Sequence, residues 1–365
     1  MEQPLLKIDN LRTYFYARSK HSFVRAVDGV SLEVGQRETV GVVGESGSGK
    51  SIAAMSVMGL ISSGPGVISG SIHYNSAGAQ KNLLDGLENF VQLREERGRV
   101  MGVSKDESGW QKNSKRLMKN LRGTEIAMIF QNPRASLNPY ISVGEQIMES
   151  IRLHTSNKSA AEARERALYW LDQVKIDSPR LRFDAYPSSM SGGMCQRAMI
   201  AMALSSEPSL LIADEPTTGL DATIQSKIVD LLEELKSETG ISTLLISHDI
   251  SVISRLSNRV AVMYGGAVVE YGSAKSVLNM HETIKHPYTA ALLASVPSEQ
   301  KIRDKANLQT IEGDVLDTIN VPPGCRFYAR CNQVTPEIQA KCASIHPELR
   351  EVAPGHQMRC WRFGD

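Results

Sequence analysis

The sequence lacks any long uninterrupted hydrophobic run. No apolar stretch approaches the roughly 18 residues that a helix needs to cross a bilayer. The first residues, Met1-Glu2-Gln3-Pro4, also lack the basic segment followed by an apolar one that marks a secretory leader. The sequence therefore predicts neither a transmembrane helix nor a secretory leader, and we expect a cytosolic chain.

An excess of charge of either sign is also missing. Lysine and arginine number 41 and aspartate and glutamate number 40, so no global basic field favours nucleic acid as a partner. The hydrophobic fraction of 41% is typical of a soluble globular protein, and 365 residues are enough for a sizeable core. The length predicts about two domains.

Cysteine is scarce except near the C-terminal end. Only five are present, and four of them follow the pattern Cys325-x5-Cys331-x10-Cys342-x17-Cys360. Because a reducing compartment disfavours disulfides, thiolates gathered in a loop-rich segment predict one soft metal centre, either an iron–sulfur cluster or zinc. The alternative is a set of reduced, buried thiols that bind nothing.

The sequence does contain a phosphate loop. The segment Gly44-Glu45-Ser46-Gly47-Ser48-Gly49-Lys50-Ser51 has the pattern GxxxxGKS and lies between the apolar run 39–43 and a predicted helix over 52–60. Glycines let the backbone turn tightly enough for its N–H groups to surround phosphates, and the dipole of the following helix favours negative charge. Lys50 is expected to reach the β- and γ-phosphates and Ser51 to bind Mg²⁺. The alternative is a glycine-rich turn with a surface lysine.

Two polar segments further along the chain can contribute to a nucleotide site. Gln131 follows the predicted strand 126–130, where its amide can ligate Mg²⁺ or position a water; the alternative is an amide that caps a turn. Ser191, Gly192 and Gly193 precede an apolar helix predicted over 198–204. They form a second anion site or, alternatively, a simple helix N-cap.

Acidic residues and a histidine follow two predicted strands. Asp214 ends the apolar strand 210–213, where it can hold the hydration shell of magnesium, and Glu215 can polarise the attacking water. The alternative is that both acids cap a helix. His248 follows the predicted strand 242–247 and is placed to contact a γ-phosphate, although a lone histidine is more often a structural group. Asp221 precedes an amphipathic helix predicted over 223–238.

Two regions of the N-terminal third carry weaker signals. Upstream of the phosphate loop, the ring of Phe15 or Tyr16 can stack on adenine, and the alternative is packing in the core. Residues 76–122 are polar, and we interpret them as a solvated loop with one or two short helices. A docking surface or a contact with acidic lipid headgroups is the alternative.

The order of these motifs resembles the nucleotide-binding subunit of an ABC transporter, over essentially the whole chain. The matching pieces are the phosphate loop at 44–51, the Q-loop at Gln131, the signature at Ser191-Gly192-Gly193, Walker B at Asp214 with Glu215, the D-loop at Asp221 and the switch at His248. The resemblance implies an α/β fold of the P-loop NTPase class, in which a RecA-like core carries an antiparallel β subdomain and a helical subdomain. It implies a nucleotide-binding domain over 1–275, with the insertion at 76–122 and the helical subdomain at about 130–205, and a cysteine-rich extension over 276–365.

The resemblance also implies a mechanism. In that family two subunits sit head to tail, so that the signature of one closes over the ATP held by the phosphate loop of the other. The implied cofactors are ATP and Mg²⁺, the metal being held by Ser51, Gln131 and Asp214. The implied catalytic residues are Glu215, His248 and Gln131.

The signature departs from the usual family pattern. Met190 and Met194 stand where leucine and glutamine are common. Methionine replaces leucine at little cost in volume, and the phosphate-facing serine and glycines are intact. We therefore expect a competent signature, with Cys195 as a bystander.

The tail, with Asn138-Pro139 and the form of the phosphate loop, resembles the ATPase of the dipeptide and oligopeptide import family, closest to its D-type subunit. The resemblance implies an ATPase coupled to binding-protein-dependent peptide import, peripheral to the cytoplasmic face of the inner membrane. The implied partners are a paralogous F-type ATPase subunit, two membrane permease subunits and an extracytoplasmic peptide-binding protein. In relatives the tail cysteines hold a 4Fe-4S cluster, a role that the resemblance carries onto Cys325, Cys331, Cys342 and Cys360, with zinc as the alternative.

A second hypothesis is a soluble ABC ATPase that works without a membrane partner. Such proteins generally carry tandem cassettes or coiled-coil insertions, whereas this chain has one cassette and no sustained heptads. For an importer, nickel chelates and antimicrobial peptides are alternative cargoes.

Overall fold

The computed structural model describes residues 3–76, 79–96, 99–155, 159–295 and 310–364. The chain divides into two compact units, which we call unit 1 (1–33, 39–116 and 247–365) and unit 2 (34–38 and 117–246). Parts of the predicted insertion (77–78, 97–98), helical subdomain (156–158) and extension (296–309, 365) lie outside the described residues.

Strands of unit 1 form a four-stranded sheet, a two-stranded hairpin and a five-stranded portion of a mixed sheet. They are β1 (Leu6–Ala17), β2 (Ser22–Val34), β3 (Thr39–Val43), β4 (Pro65–Ser76), β5 (Ala79–Asn82), β6 (Val91–Glu96), β7 (Arg99–Lys105), β11 (Arg259–Tyr264), β12 (Ala267–Ser273), β13 (Arg350–Ala353) and β14 (His356–Met358). The four-stranded sheet has the order β2-β1-β4-β5, and the mixed portion has the order β13-β14-β12-β11-β3.

Strand β3 leads into the phosphate loop from the interior of the sheet. All five of its residues are buried, and it runs parallel to β11 with Val40 beside Arg259 and Val43 beside Val262. A continuous apolar run is what a parallel strand covered on both faces requires. The loop therefore starts from a rigid, fully buried strand.

The helices of unit 1 are short. They are α1 (Lys50–Val57), α2 (Glu107–Met118, whose last residues belong to unit 2), α9 (Ile250–Leu256), α10 (Ala274–Leu278), α11 (Pro287–Ala294) and α12 (Pro336–Ser344). Within the described ranges, no helix has the length and apolar character needed to cross a membrane.

Unit 2 combines three parallel strands with most of the longer helices. The strands β8 (Ile126–Ile129), β9 (Leu210–Asp214) and β10 (Ser242–Ile246) have the order β10-β9-β8, and each is fully buried. The helices are α3 (Pro133–Ser136), α4 (Val143–His154), α5 (Ala160–Gln173), α6 (Pro179–Phe183), α7 (Gly192–Leu204) and α8 (Ala222–Thr239). With the antiparallel pairing of β1 and β4 in unit 1, these elements confirm the predicted fold class.

The predicted solvated loop over residues 76–122 is wrong in part. Strands β6 and β7 pair as an antiparallel hairpin, and α2 follows as a helix where one or two short helices were expected. Val100 of the hairpin is buried against Tyr14 and Ile68 of the four-stranded sheet, with Leu93 and Val103 packed beside them. The signal was the alternation of apolar residues in Val91-x-Leu93, which the polar composition of the region obscured.

A buried ion pair ties the C-terminal extension to strand β2. Arg326 donates to the Asp28 carboxylate over 2.6 Å, and the Tyr14 hydroxyl donates to the same carboxylate over 2.5 Å. Burial alone would raise the pKa of Asp28, but Arg326 and the Tyr14 bond outweigh it and hold the pKa below its ordinary value. Breaking such a pair typically costs about 3–5 kcal/mol, because the remaining charge stays buried and unpaired.

Candidate functional site

The backbone of the phosphate loop is packed against its neighbours at both ends. A Cβ atom at Gly44 would lie 2.1 Å from the carbonyl oxygen of Met263, and one at Gly49 would lie 2.1 Å from that of Ala26. Gly49 also has a φ of 100°, which side chains rarely adopt, and it caps α1. Only glycine fits these two positions, so the sequence pattern has a steric cause.

Lys50 is the first residue of α1, and its ammonium group is held inside the loop. The side chain is buried, and Nζ donates to the carbonyl oxygens of Gly44 at 2.8 Å and Glu45 at 3.0 Å. Lys50 is therefore not a surface lysine. Ser51 follows it in the first turn of α1, partly buried.

Glu45, the second residue of the loop, is held from outside the loop. Its carboxylate accepts two hydrogen bonds from Arg330 of the extension, and its N–H donates to the Tyr288 hydroxyl over 2.8 Å. Sequence reasoning missed Arg330 and Tyr288. The two partners of the ion pair are 285 positions apart, and no local pattern joins them.

The predicted adenine-stacking residues lie in β1. Phe15 is partly buried, and the Tyr16 ring is 46% exposed and makes a T-shaped contact with Phe23 at a centroid distance of 5.4 Å. The adjacent Tyr14 is buried and bonded to Asp28. The exposed part of the Tyr16 ring is apolar surface on which a base can stack.

His248 lies in unit 1, in the segment that also contacts β3. The N–H of the preceding Ser247 donates to the Val42 carbonyl oxygen over 3.3 Å, and Val42 lies two residues before the phosphate loop. Asp249 caps α9 through its carboxylate, which accepts the Ser251 N–H. His248 is thus exposed between a fixed strand contact and a capped helix.

In unit 2 the structure brings Gln131 and Glu215 together. Gln131 Nε2 donates to Glu215 Oε2 over 2.7 Å, and the Thr218 hydroxyl donates to the same oxygen over 2.8 Å. Asp214 precedes them as the buried last residue of β9. Sequence reasoning missed Thr218, although its place three residues after Glu215 is a common spacing for a side-chain contact in a turn.

The backbone of Glu215 is in the left-handed conformation, with a φ of 48°. Its N–H donates to the Ile246 carbonyl oxygen at the end of β10 over 2.9 Å, which holds this conformation in place. A non-glycine residue in this region costs of order 1–3 kcal/mol, and such strain concentrates at functional sites. Among the described residues no helix begins at Glu215, and its carboxylate is bonded to Gln131 and Thr218, which favours a functional role over that of a helix cap.

The predicted second anion site is the start of α7. Ser191 is its exposed N-cap, and its hydroxyl accepts the Met194 N–H over 3.3 Å. A Cβ atom at Gly193 would lie 2.6 Å from the Ile224 side chain, whereas one at Gly192 would meet only Leu220 at 3.5 Å. Cys195 is fully buried and bonds to the Pro187 carbonyl oxygen. Asp221 caps α8 by accepting the Ile224 N–H over 3.0 Å.

The four tail cysteines line one small cavity in unit 1. Its volume is about 10 Å³, enough for about one water. Burial, followed by the other three thiols, raises the pKa of Cys325 to about 12. All five cysteines of the chain are free, and among the described residues no three His, Cys, Asp or Glu side chains are arranged to hold a metal ion. The donor set suits an iron–sulfur cluster, whereas the cavity is smaller than one.

Comparison with known proteins gives matches along the whole chain. Residues 27–218 match the family described as ABC transporter, and residues 269–337 match the C-terminal region of oligopeptide/dipeptide transporters. The dipeptide transport ATP-binding protein DppD of Escherichia coli K12 is 39% identical over 98% of this chain and 96% of its own length. The oligopeptide transport ATP-binding protein AppD of Bacillus subtilis 168 is 41% identical over 98% of this chain and 97% of its own.

Solved structures give the same result for the fold. The dimeric structure of a bacterial ABC transporter cassette has a TM-score of 0.57 at 25% identity and covers 74% of this chain and 98% of that cassette. The cbiO1 protein of Clostridium perfringens, part of an ABC transporter complex, has a TM-score of 0.54 at 25% identity and covers 76% of this chain and 91% of its own.

Proposed function

We propose that this chain, which belongs to the ABC transporter ATP-binding proteins of the oligopeptide and dipeptide transport family, is the ATP-hydrolysing subunit of a peptide importer. The observation that carries the proposal is the match to named peptide-transport ATP-binding proteins over nearly the full length of both chains. The buried Lys50 in a glycine-built phosphate loop supplies the chemical basis for ATP binding.

ATP is bound by unit 1 in this proposal. The loop 44–49 surrounds the phosphates with N–H groups, Lys50 neutralises the β- and γ-phosphates, and Phe15 or Tyr16 stacks on adenine. His248 contacts the γ-phosphate. Ser51, Gln131 and Asp214 are the residues that would hold Mg²⁺, which supplies charge neutralisation for the leaving phosphates when bound.

Hydrolysis depends on Glu215 as the base. Its carboxylate polarises the attacking water. The amide of Gln131 donates to this carboxylate and orients the carboxylate toward the water. The Thr218 hydroxyl donates to the same carboxylate oxygen. The hydrogen bonds from Gln131 and Thr218 keep the carboxylate oriented before ATP arrives.

The signature segment serves a second ATPase subunit. Ser191, Gly192 and Gly193 at the start of α7 offer a hydroxyl and helix N–H groups to the ATP of the partner, and Asp221 lies at the same type of helix start. We propose that this second subunit is the paralogous F-type ATPase subunit. The remaining partners are two membrane permease subunits and an extracytoplasmic peptide-binding protein, and the chain acts peripherally at the cytoplasmic face of the inner membrane.

The function is tested by assembling the chain with its membrane partners. The chain, its paralogous ATPase, the permeases and the peptide-binding protein are reconstituted in vesicles, and ATP hydrolysis is measured with and without a peptide-loaded binding protein. We expect the rate of ATP hydrolysis to rise when the peptide-loaded binding protein is added. We also expect peptide to accumulate on the side of the vesicle membrane opposite the binding protein. Persistent co-purification with nucleic acid, or hydrolysis indifferent to every membrane partner, would instead support the soluble ABC ATPase.

We further propose that Cys325, Cys331, Cys342 and Cys360 bind a 4Fe-4S cluster. The support is that the four thiols line one cavity and that sulfur ligands of this number suit a cluster of this kind. The cavity must widen to admit the cluster. When bound, the cluster supplies a four-point crosslink for a loop-rich segment and a one-electron redox centre.

Anaerobically purified protein is expected to be brown, with about four iron and four acid-labile sulfide per chain. Cys331→Ser and Cys360→Ser should lower both, while Cys195→Ser, which changes a buried thiol outside the cavity, should keep the parental content. The measurements are elemental analysis and visible absorption. One zinc per chain, or no metal at all, contradicts the cluster.

A further inference from the structure

We infer that Arg330 is a positioning residue for ATP binding, which acts through Glu45 of the phosphate loop. The inference rests on the proposed ATPase function and adds a residue outside every ABC motif. Arg330 belongs to the extension and directly precedes Cys331. Glu45 occupies one of the unrestricted positions of GxxxxGKS, so nucleotide binding as such does not require a carboxylate there.

The contact between Arg330 and Glu45 is a two-point ion pair. Arg330 Nη1 donates to Glu45 Oε2 over 2.8 Å, and Nη2 donates to Oε1 over 3.0 Å. The side chain of Arg330 is only 5% exposed and that of Glu45 is 22% exposed, so water and salt screen the pair weakly. Parallel bonds between guanidinium and carboxylate fix an orientation as well as a distance. The pair therefore determines which way the Glu45 side chain points.

The guanidinium is itself fixed by the extension. Arg330 Nε donates to the Glu312 carbonyl oxygen over 3.0 Å, and Nη2 donates to that of Ile311 over 3.2 Å. Nη1 also bonds to the Tyr264 hydroxyl over 3.3 Å. With these bonds made, Arg330 cannot follow the loop if the loop moves. The orientation of Glu45 is consequently imposed by the extension.

Glu45 passes this orientation on to Lys50. Besides its carboxylate, the N–H of Glu45 is held by Tyr288, and its carbonyl oxygen accepts a hydrogen bond from Lys50 Nζ over 3.0 Å. Tyr288 is locked in turn by the rings of Tyr264 and Phe327, whose centroids lie 4.6 and 5.4 Å away. Residue 45 is thus held at its carboxylate by Arg330 and at its N–H by Tyr288 of α11, and both residues belong to the extension. The peptide group of residue 45 carries the ammonium that is expected to meet the phosphates.

The test compares Arg330→Ala, Arg330→Lys and Tyr288→Phe in the assembled transporter. Arg330→Ala is expected to raise the KM for ATP, and the Kd of a fluorescent ATP analogue, about tenfold, with kcat within about twofold. Arg330→Lys should recover part of the loss, because it keeps the charge but not the fork. Tyr288→Phe should raise KM about threefold, since it removes one hydrogen bond to the loop.

The matched control is Lys20→Ala. This substitution removes an exposed ion pair between Lys20 and Asp317 of the extension without touching the loop, and nucleotide affinity should not change. If all three variants have a lower melting temperature but the parental ATP affinity, the pair of Arg330 and Glu45 is purely structural and the inference is overturned. A fall in kcat with unchanged KM and Kd overturns it as well. Should Arg330→Ala fail to fold, the other two variants decide. Equilibrium nucleotide binding stays measurable even if the parental chain energises no transport, so failure of the proposed function is distinguishable.

Discussion

Glu215→Gln is expected to lower kcat for ATP hydrolysis by about 10²–10⁴-fold while ATP binding is retained. The amide keeps the size of the side chain and can still meet Gln131 and Thr218, but it cannot accept the proton of the attacking water. We propose that the two ATPase subunits close over ATP and that hydrolysis reopens them, so the variant should accumulate as a closed dimer with ATP. Steady-state hydrolysis and size-exclusion chromatography with ATP measure the two effects.

The control for this prediction is Glu207→Gln in the same unit. Glu207 is exposed and paired with Arg166 over 2.8 Å, so the same chemical change is made away from the acidic site. The control should hydrolyse ATP at the parental rate. If Glu215→Gln does so as well, Glu215 is not the catalytic base.

Lys50→Ala is expected to weaken ATP binding by about a hundredfold or more and to abolish turnover. The substitution removes the ammonium group that is expected to meet the phosphates, and it frees the carbonyl oxygens of Gly44 and Glu45. Equilibrium titration with a fluorescent ATP analogue gives the affinity directly.

Lys285→Ala is a matched control for the loss of a buried lysine. Lys285 is equally buried in unit 1, and its Nζ likewise donates to two backbone carbonyl oxygens, those of Ser276 and Val277. We expect it to lose stability but to bind ATP normally. Similar affinity in both variants would show that Lys50 acts only through packing.

The parts of the site that could be predicted from the sequence are those with a local physical cause. The glycines of the phosphate loop can be read because their steric requirement is local to the chain, and α1 follows directly from them. Gln131 and Glu215 are 84 positions apart, yet both follow apolar strands, and the ends of parallel strands meet at one sheet edge. The proximity of Gln131 and Glu215 can therefore be predicted from the sequence.

Contacts that join distant segments by side chains alone could not be predicted. A buried arginine needs a hydrogen-bonding partner, but the sequence around Arg330 does not indicate which residue that partner is. The carboxylate that Arg330 contacts is 285 positions away. The hairpin of β6 and β7 is hard to predict for a related reason. Its polar outer face dominates the composition, while Val100 reaches the core only once Tyr14 and Ile68 are in place.

Strand β14 covers the edge of β12, and we expect this to protect the chain from aggregation. It pairs with β12 through Glu270 with Met358 and Tyr271 with Gln357, and the short β13 with exposed Arg350 and Glu351 forms the outermost strand. An open strand edge invites pairing with another chain, and short, charged outer strands prevent it. A chain shortened after residue 275 would leave β12 as that open edge. We therefore expect a chain without these last strands to aggregate more readily than the full chain.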